Sequence, residues 1–231
     1  EMKLGIILTS DVRSKAYLQK IIAKDIHVDN IIFMNDKKEE RIFIKDEQDM
    51  AKKYGFNITE RVCTTLIKHK LQFKEFTFVD INHFMLIEYL KQINCDYVIF
   101  TGGGILKSQV LRSGPKFIHL HPGIVPQYRG STCYYYSLIN EGRCGVTAFI
   151  MDEGLDTGPV IYQKNFNKPD HVYIDEIYDA HIRSDTLIDI LENDLLKHKK
   201  FNIQNFDGET YFIIHPVLKH IAILDCIKNK T

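Results

Sequence analysis

Lys116-Phe117-Ile118-His119-Leu120-His121-Pro122-Gly123 is the stretch from which the fold of this chain can be worked outward. Its apolar part, Lys116 to Leu120, has the length and composition of a strand buried on both faces. If the strand continues to His121, then His119 and His121 stand at i and i+2 and project from one face, one pleat apart. Pro122 cannot donate to a ladder and Gly123 permits a tight turn, so His121 is left at the lip of the sheet. Similar runs rich in Ile, Val and Phe recur at Leu4 to Leu8, Asn30 to Met34, Tyr97 to Phe100 and Val146 to Met151. Helix-period stretches separate the early ones: Ser14 to Lys24, Asp49 to Lys70 with Ile58, Val62 and Leu66 on one face, and Asn82 to Ile93. This alternation predicts an α/β fold, an open, mostly parallel, Rossmann-like sheet with helices on both faces.

Ligands of such sheets sit beyond the carboxyl ends of the strands, so the residues just after each apolar run carry the most information. Three ends stand out. Tyr97 to Phe100 is followed by Thr101-Gly102-Gly103-Gly104-Ile105-Leu106, and Lys116 to Ile118 by His119-Leu120-His121-Pro122-Gly123. Val146 to Met151 is followed by Asp152-Glu153-Gly154-Leu155-Asp156-Thr157-Gly158-Pro159. From Tyr173 to Lys199 the helical period returns. The last stretch, Phe201 to Thr231, carries two short apolar runs, Tyr211 to Ile214 and Ile221 to Leu224. Residues 1–200 are therefore expected to form the main domain, and residues 201–231 a C-terminal appendage built as a hairpin or as a strand and a helix.

Composition narrows the function classes. The chain has 231 residues, 45% hydrophobic and 26% charged, with 30 basic and 30 acidic side chains. That balance is globular rather than disordered, and it gives no global pull toward nucleic acid or an anionic membrane. The five cysteines are widely spaced without a CxxC pair, which argues against a disulfide framework or a structural zinc site and predicts a reducing, cytoplasmic setting. No apolar run approaches the roughly 20 residues of a spanning helix. The triple glycine fits neither GxGxxG nor GxxxxGKS, and the first strand ends in Leu8-Thr9-Ser10-Asp11, so dinucleotide binding is disfavoured.

By themselves the two imidazoles fit partly buried structural histidines, or a metal pair for which Asp156 is the third ligand available by position. They also fit acid–base chemistry, because a carboxylate beside an imidazole sets its tautomer and tunes its titration near pH 7. Asp156 alone reads as a turn former. The loop Pro126-Gln127-Tyr128-Arg129-Gly130 presents an arginine suited to a carboxylate or phosphate.

Taken together, the block from His119 to Gly130 (His-Leu-His-Pro-Gly-Ile-Val-Pro-Gln-Tyr-Arg-Gly), followed by Gly145-Val146-Thr147 and by Asp152 to Pro159, resembles the formyltransferase family that uses 10-formyltetrahydrofolate. That family includes glycinamide ribonucleotide formyltransferase, the catalytic domain of methionyl-tRNA formyltransferase and sugar N-formyltransferases. The resemblance implies the formyltransferase fold, with His121 as the catalytic histidine and Asp156 as the catalytic aspartate. His119 stands where the family has an asparagine, whose amide donates a hydrogen bond to the formyl oxygen as it gains charge. A neutral imidazole also has one donor to offer. The pterin ring is expected on backbone groups of Gly104, Ile105 and Leu106 and of Asp152, Glu153, Gly154 and Leu155. Ser10, Tyr128 and Arg129 are the expected substrate contacts.

The implied co-substrate is 10-formyltetrahydrofolate, with no resident metal. The expected acceptor is the amine of a nucleotide-linked 4-amino-4,6-dideoxy sugar, with glycinamide ribonucleotide as the alternative. A formyltetrahydrofolate hydrolase and a non-catalytic folate or nucleotide binder stand behind them, the latter because of His119. No nucleic-acid or membrane partner is expected, and the apolar tail suggests a homodimer.

Overall fold

The computed structural model describes residues 2–37, 39–78, 80–102, 104–198, 201–205 and 207–228. Gly103 of the triple glycine and Lys199 and Lys200 at the end of the expected long helix lie outside the described residues. The chain forms two compact units, Glu1–His119 and Leu120–Thr231.

In the first unit, β1 (Leu4–Leu8), α1 (Val12–Ala23), β2 (Asn30–Met34), α2 (Lys45–Lys53), α3 (Val62–Lys68), β3 (Lys74–Phe76), α4 (Phe84–Gln92), β4 (Tyr97–Phe100) and α5 (Ser108–Leu111) follow in order. They lead into β5 (Lys116–His121), which runs through the unit boundary. The strands pair in parallel in the order β3-β2-β1-β4-β5. Every residue of β1 and of β4 is buried, as expected where helices cover both faces of a parallel sheet. α1 starts where Asp11 accepts the Ser14 amide at 2.7 Å, an N-cap that satisfies one unpaired helix donor.

The single helix expected over Asp49 to Lys70 is two helices. Gly55, at φ +86, ends α2, with the Phe56 amide on the Ala51 carbonyl and the Gly55 amide on the Lys52 carbonyl. This left-handed cap caps the last carbonyls and turns the chain away. Ile58, Val62 and Leu66 are nonetheless all buried, so their apolar spacing was a sign of burial rather than of helix. The short edge strand β3 gave no periodic signal, since Phe76 is its one buried residue.

The second unit continues from the end of β5 with β6 (Tyr128–Gly130), α6 (Cys133–Glu141), β7 (Arg143–Ile150), β8 (Val160–Asn167), α7 (Asp179–Glu192), β9 (Glu209–Tyr211) and α8 (Pro216–Ile227). The strand order runs on from β5 to β7 and β8, giving a mostly parallel sheet of seven strands with β7 and β8 antiparallel. The expected helix from Tyr173 is a π-helical turn over Ile174–Tyr178, closed by the Tyr178 amide on the Tyr173 carbonyl at 3.0 Å, and then α7.

The tail is a strand and a helix, and it belongs to the second unit. β9 pairs in parallel with β6, from Tyr128 opposite Glu209 to Gly130 opposite Tyr211. The expected boundary after residue 200 thus falls inside this unit. Among the described residues no helix is long and apolar enough to cross a membrane.

Candidate functional site

β5 delivers His119 and His121 to one side of its carboxyl end, and the loop after β7 brings Asp156 to them. One ring nitrogen of each histidine and an Asp156 oxygen all lie within 4.8 Å of one another. His121 is only 2% exposed. Its Nε2 lies 2.7 Å from the Tyr128 carbonyl oxygen, and because a carbonyl only accepts, Nε2 carries a proton. Its Nδ1 lies 3.4 Å from Asp156 Oδ2, longer than the ~3.2 Å limit of a good N–H···O bond. Burial pushes the His121 imidazole below its ordinary value of 6.5, against the Asp156 carboxylate and the Tyr128 carbonyl, which favour the charged form. The resting ring is therefore neutral, with its Nδ1 lone pair on the Asp156 side, and it has two acceptors ready to stabilise it once charged.

The backbone makes this placement possible. Gly123 follows the strand so closely that a Cβ there would sit 2.8 Å from His121 Nε2 and 2.7 Å from the Tyr128 oxygen. No side chain fits without moving the histidine. Thr147 of β7 donates to the Gly123 carbonyl at 2.7 Å and accepts the Val125 amide at 3.1 Å, fixing the loop that carries the cis Val125-Pro126 bond. Arg183 of α7 donates to the carbonyl of Leu120, the residue between the two histidines, at 2.9 Å, and is itself paired with Asp179 at 2.7 Å.

Asp156 has φ +54, a conformation that aspartate tolerates better than most side chains but that costs energy unless its surroundings hold it. The surroundings do. Its Oδ2 accepts the Gly130 amide at 2.7 Å, and its carbonyl accepts Gln204 Nε2 at 2.9 Å. Upstream in the same loop, Asp152 accepts the Gly154 amide at 3.0 Å and the Thr157 hydroxyl at 2.7 Å. Asp152, Glu153, Gly154 and Leu155 are all exposed.

The loop residues expected to meet substrate are turned toward the tail. Arg129 is buried, with Nη2 donating to Gln204 Oε1 at 3.0 Å and to the Asn205 carbonyl at 2.9 Å. Tyr128 is also buried, stacked on Tyr211 with ring centroids 5.4 Å apart, and burial lifts its hydroxyl to about 12. Its contribution to the site is its carbonyl. Ser10, Gly104, Ile105 and Leu106 belong to the first unit. There Ser10 donates to Asp36 at 3.1 Å, and the Ile105 carbonyl accepts Asn82 Nδ2 at 2.9 Å.

Sequence reasoning missed Gln204, Arg183 and Asp179. The last two stand four residues apart on one helix, a spacing that reads as an exposed ion pair until the helix is seen to be buried. Gln204 carried no signal at all.

The carboxyl end of β5 thus sets a buried imidazole beside a carboxylate, where ligands of such sheets bind. Residues 12–180 match the family model described as formyl transferase, and the chain belongs to that family. Its curated relatives include the methionyl-tRNA formyltransferase of Sulfurimonas denitrificans, 28% identical over 199 residues covering 83% of this chain and 60% of that protein. The methionyl-tRNA formyltransferase of Thermodesulfovibrio yellowstonii is 42% identical over 85 residues, 35% of this chain and 27% of that protein. The chain thus spans at most about 60% of the length of these two relatives.

Similar folds are found in two solved structures. The N-formyltransferase from Helicobacter canadensis, in complex with folinic acid and dTDP-3-aminofucose, has a TM-score of 0.63 at 14% identity, covering 98% of this chain and 81% of that one. A sugar N-formyltransferase from Shewanella has a TM-score of 0.61 at 17% identity, covering 98% and 88%. At such identities these likenesses show the fold.

Proposed function

We propose that this chain transfers a formyl group from 10-formyltetrahydrofolate to the primary amine of a small molecule, a nucleotide-linked amino sugar. One observation carries the proposal: a buried His121 whose Nδ1 faces Asp156 at 3.4 Å, the carboxylate being fixed by the Gly130 amide at 2.7 Å. The chain's formyl transferase membership and the folinic acid and amino-sugar nucleotide bound by the structurally similar Helicobacter enzyme support the choice of substrates.

The folate supplies the formyl carbon, and its nitrogen takes up a proton as the C–N bond breaks. The protein's residues do the rest. His121 Nδ1 takes the proton released by the attacking amine and hands it to the folate nitrogen as that nitrogen leaves. The resulting imidazolium is stabilised by Asp156 on one side and the Tyr128 carbonyl on the other. Because Nε2–H is committed to Tyr128, His121 donates toward the formyl oxygen through Nδ1 alone, and only after it has been charged. His119 is then the donor that can meet the developing negative charge from the start, in its neutral form. The exposed segment Asp152, Glu153, Gly154 and Leu155 fits a flat ring held edge-on by peptide groups. Ser10 is assigned to the acceptor, whereas Tyr128 and Arg129 shape the site through backbone and loop position.

Incubation with 10-formyltetrahydrofolate and one acceptor at a time, followed by folate absorbance, tests the proposal. The acceptors are nucleotide-linked 3-amino and 4-amino deoxy sugars, glycinamide ribonucleotide and methionyl-tRNA. Turnover with an amino sugar supports it. Turnover with methionyl-tRNA alone moves the assignment to the activity named for the curated relatives, and folate consumption without an acceptor marks a hydrolase. A homodimer belongs to the same proposal; the exposed Val217, Leu218, Ile221 and Leu224 on α8 are where sedimentation of a charged variant would locate it.

A further inference from the structure

We infer that His119, His121 and Asp156 form a binding site for a divalent cation of the zinc type, and that the cation inhibits the enzyme by occupying the atoms that group transfer needs. The inhibitory part rests on the function proposed above; the site itself does not. Two imidazoles and one carboxylate are the donor set that zinc and its neighbours take up in open sites, with further positions left to water or ligand. In this chain the three donors lie within 4.8 Å of one another.

The fit is closest for His121 and Asp156. Two ligands each about 2.1 Å from a tetrahedral ion stand about 3.4 Å apart, and His121 Nδ1 stands 3.4 Å from Asp156 Oδ2. The tautomer is also the one required. Nε2 faces the Tyr128 carbonyl at 2.7 Å and holds the proton, so Nδ1 is the nitrogen with a lone pair, and a ligand histidine normally donates its other N–H to such a carbonyl. Asp156 is oriented in the same way by the Gly130 amide at 2.7 Å. His119 supplies the third donor from the same face of β5, and an asparagine at that position would make a much poorer zinc ligand.

Cobalt(II) reports such sites through its visible d–d absorption. Titrating the chelator-treated 231-residue chain with cobalt should give one equivalent of a low-symmetry, strongly absorbing complex that zinc displaces. His119→Asn and Asp156→Asn should each weaken cobalt binding by at least about tenfold while keeping the far-ultraviolet circular dichroism of the parent. In the parent protein, zinc should inhibit formyl transfer and a chelator should restore it. Absence of the cobalt spectrum, or its survival in both variants, overturns the site. Binding without inhibition of an active enzyme overturns the inhibitory role. Binding by a chain that transfers no formyl group to any acceptor upholds the site and overturns the functional proposal instead.

Discussion

Two strand ends in this chain solve the same problem with different chemistry. Beyond β1, the Thr9 amide donates to Ser14 Oγ at 2.9 Å, Ser14 Oγ meets Thr101 Oγ1 at 2.9 Å, and Thr101 donates to the Ile7 carbonyl at 2.9 Å. Thr101 gives its one hydroxyl proton to Ile7, so Ser14 gives its own to Thr101. All these groups are neutral, and the relay works alike at any ordinary pH. Beyond β5, the corresponding groups are His121, Asp156 and the Arg183–Asp179 pair, and each of them titrates or carries charge. The first arrangement only fixes backbone. The second buries an imidazole beside a carboxylate, which lowers stability in acid and, under the proposed function, supplies the base.

The largest effect should come from removing that base. His121→Ala is expected to lower formyl transfer by on the order of a thousandfold, read from the rate of folate absorbance change, with the fold retained by circular dichroism. Near-parental activity would place the proton transfer elsewhere and end the contrast between the two strand ends. Arg183→Met comes next. It takes the guanidinium away from buried Asp179 and from the Leu120 carbonyl, and should cost about 3 kcal/mol in urea unfolding.

At the neutral end, Ser14→Ala strands the Thr9 amide and a Thr101 acceptor. A loss of about 1 to 2 kcal/mol is expected, and it should be the same at every pH between 5 and 8, roughly the window of histidine titration.

The smallest effect is the most discriminating. The folded pKa of His121 lies below its ordinary 6.5, so the unfolded chain binds the proton more readily than the folded one. Its stabilising contribution is complete above 6.5 and is lost as pH falls below 6.5 toward the lowered folded value. In chelator, the unfolding free energy of the parent should fall over that range by no more than about 1.4 kcal/mol per pH unit, and His121→Gln should flatten this part of the profile. An unchanged profile in the variant would show that other groups set the acid limb.

The strands were the most legible part of the sequence. Leu4 to Leu8, Asn30 to Met34 and Tyr97 to Phe100 are strands over the expected residues, because a strand buried on both faces must be continuously apolar whatever packs on it. Asp49 to Lys70 misled because apolar residues at helical spacing also occur where a capped helix gives way to a buried turn. His119, His121 and Asp156 could be singled out for another reason: each lies at or just after the carboxyl end of an apolar run, where a strand hands over to a loop.

Sequence alone therefore determined the alternation of strands and helices, and the placing of two imidazoles and a carboxylate after apolar runs, since both follow from local periodicity and chain direction. Tertiary structure alone decided which nitrogen of His121 carries the proton, because that depends on the Tyr128 carbonyl seven residues away. It also decided that Arg129 turns inward to Gln204, 75 residues along the chain, and that Asp179 and Arg183 are buried. Burial and hydrogen-bond partners are set by what packs from distant parts of the chain, and no short window of sequence contains them.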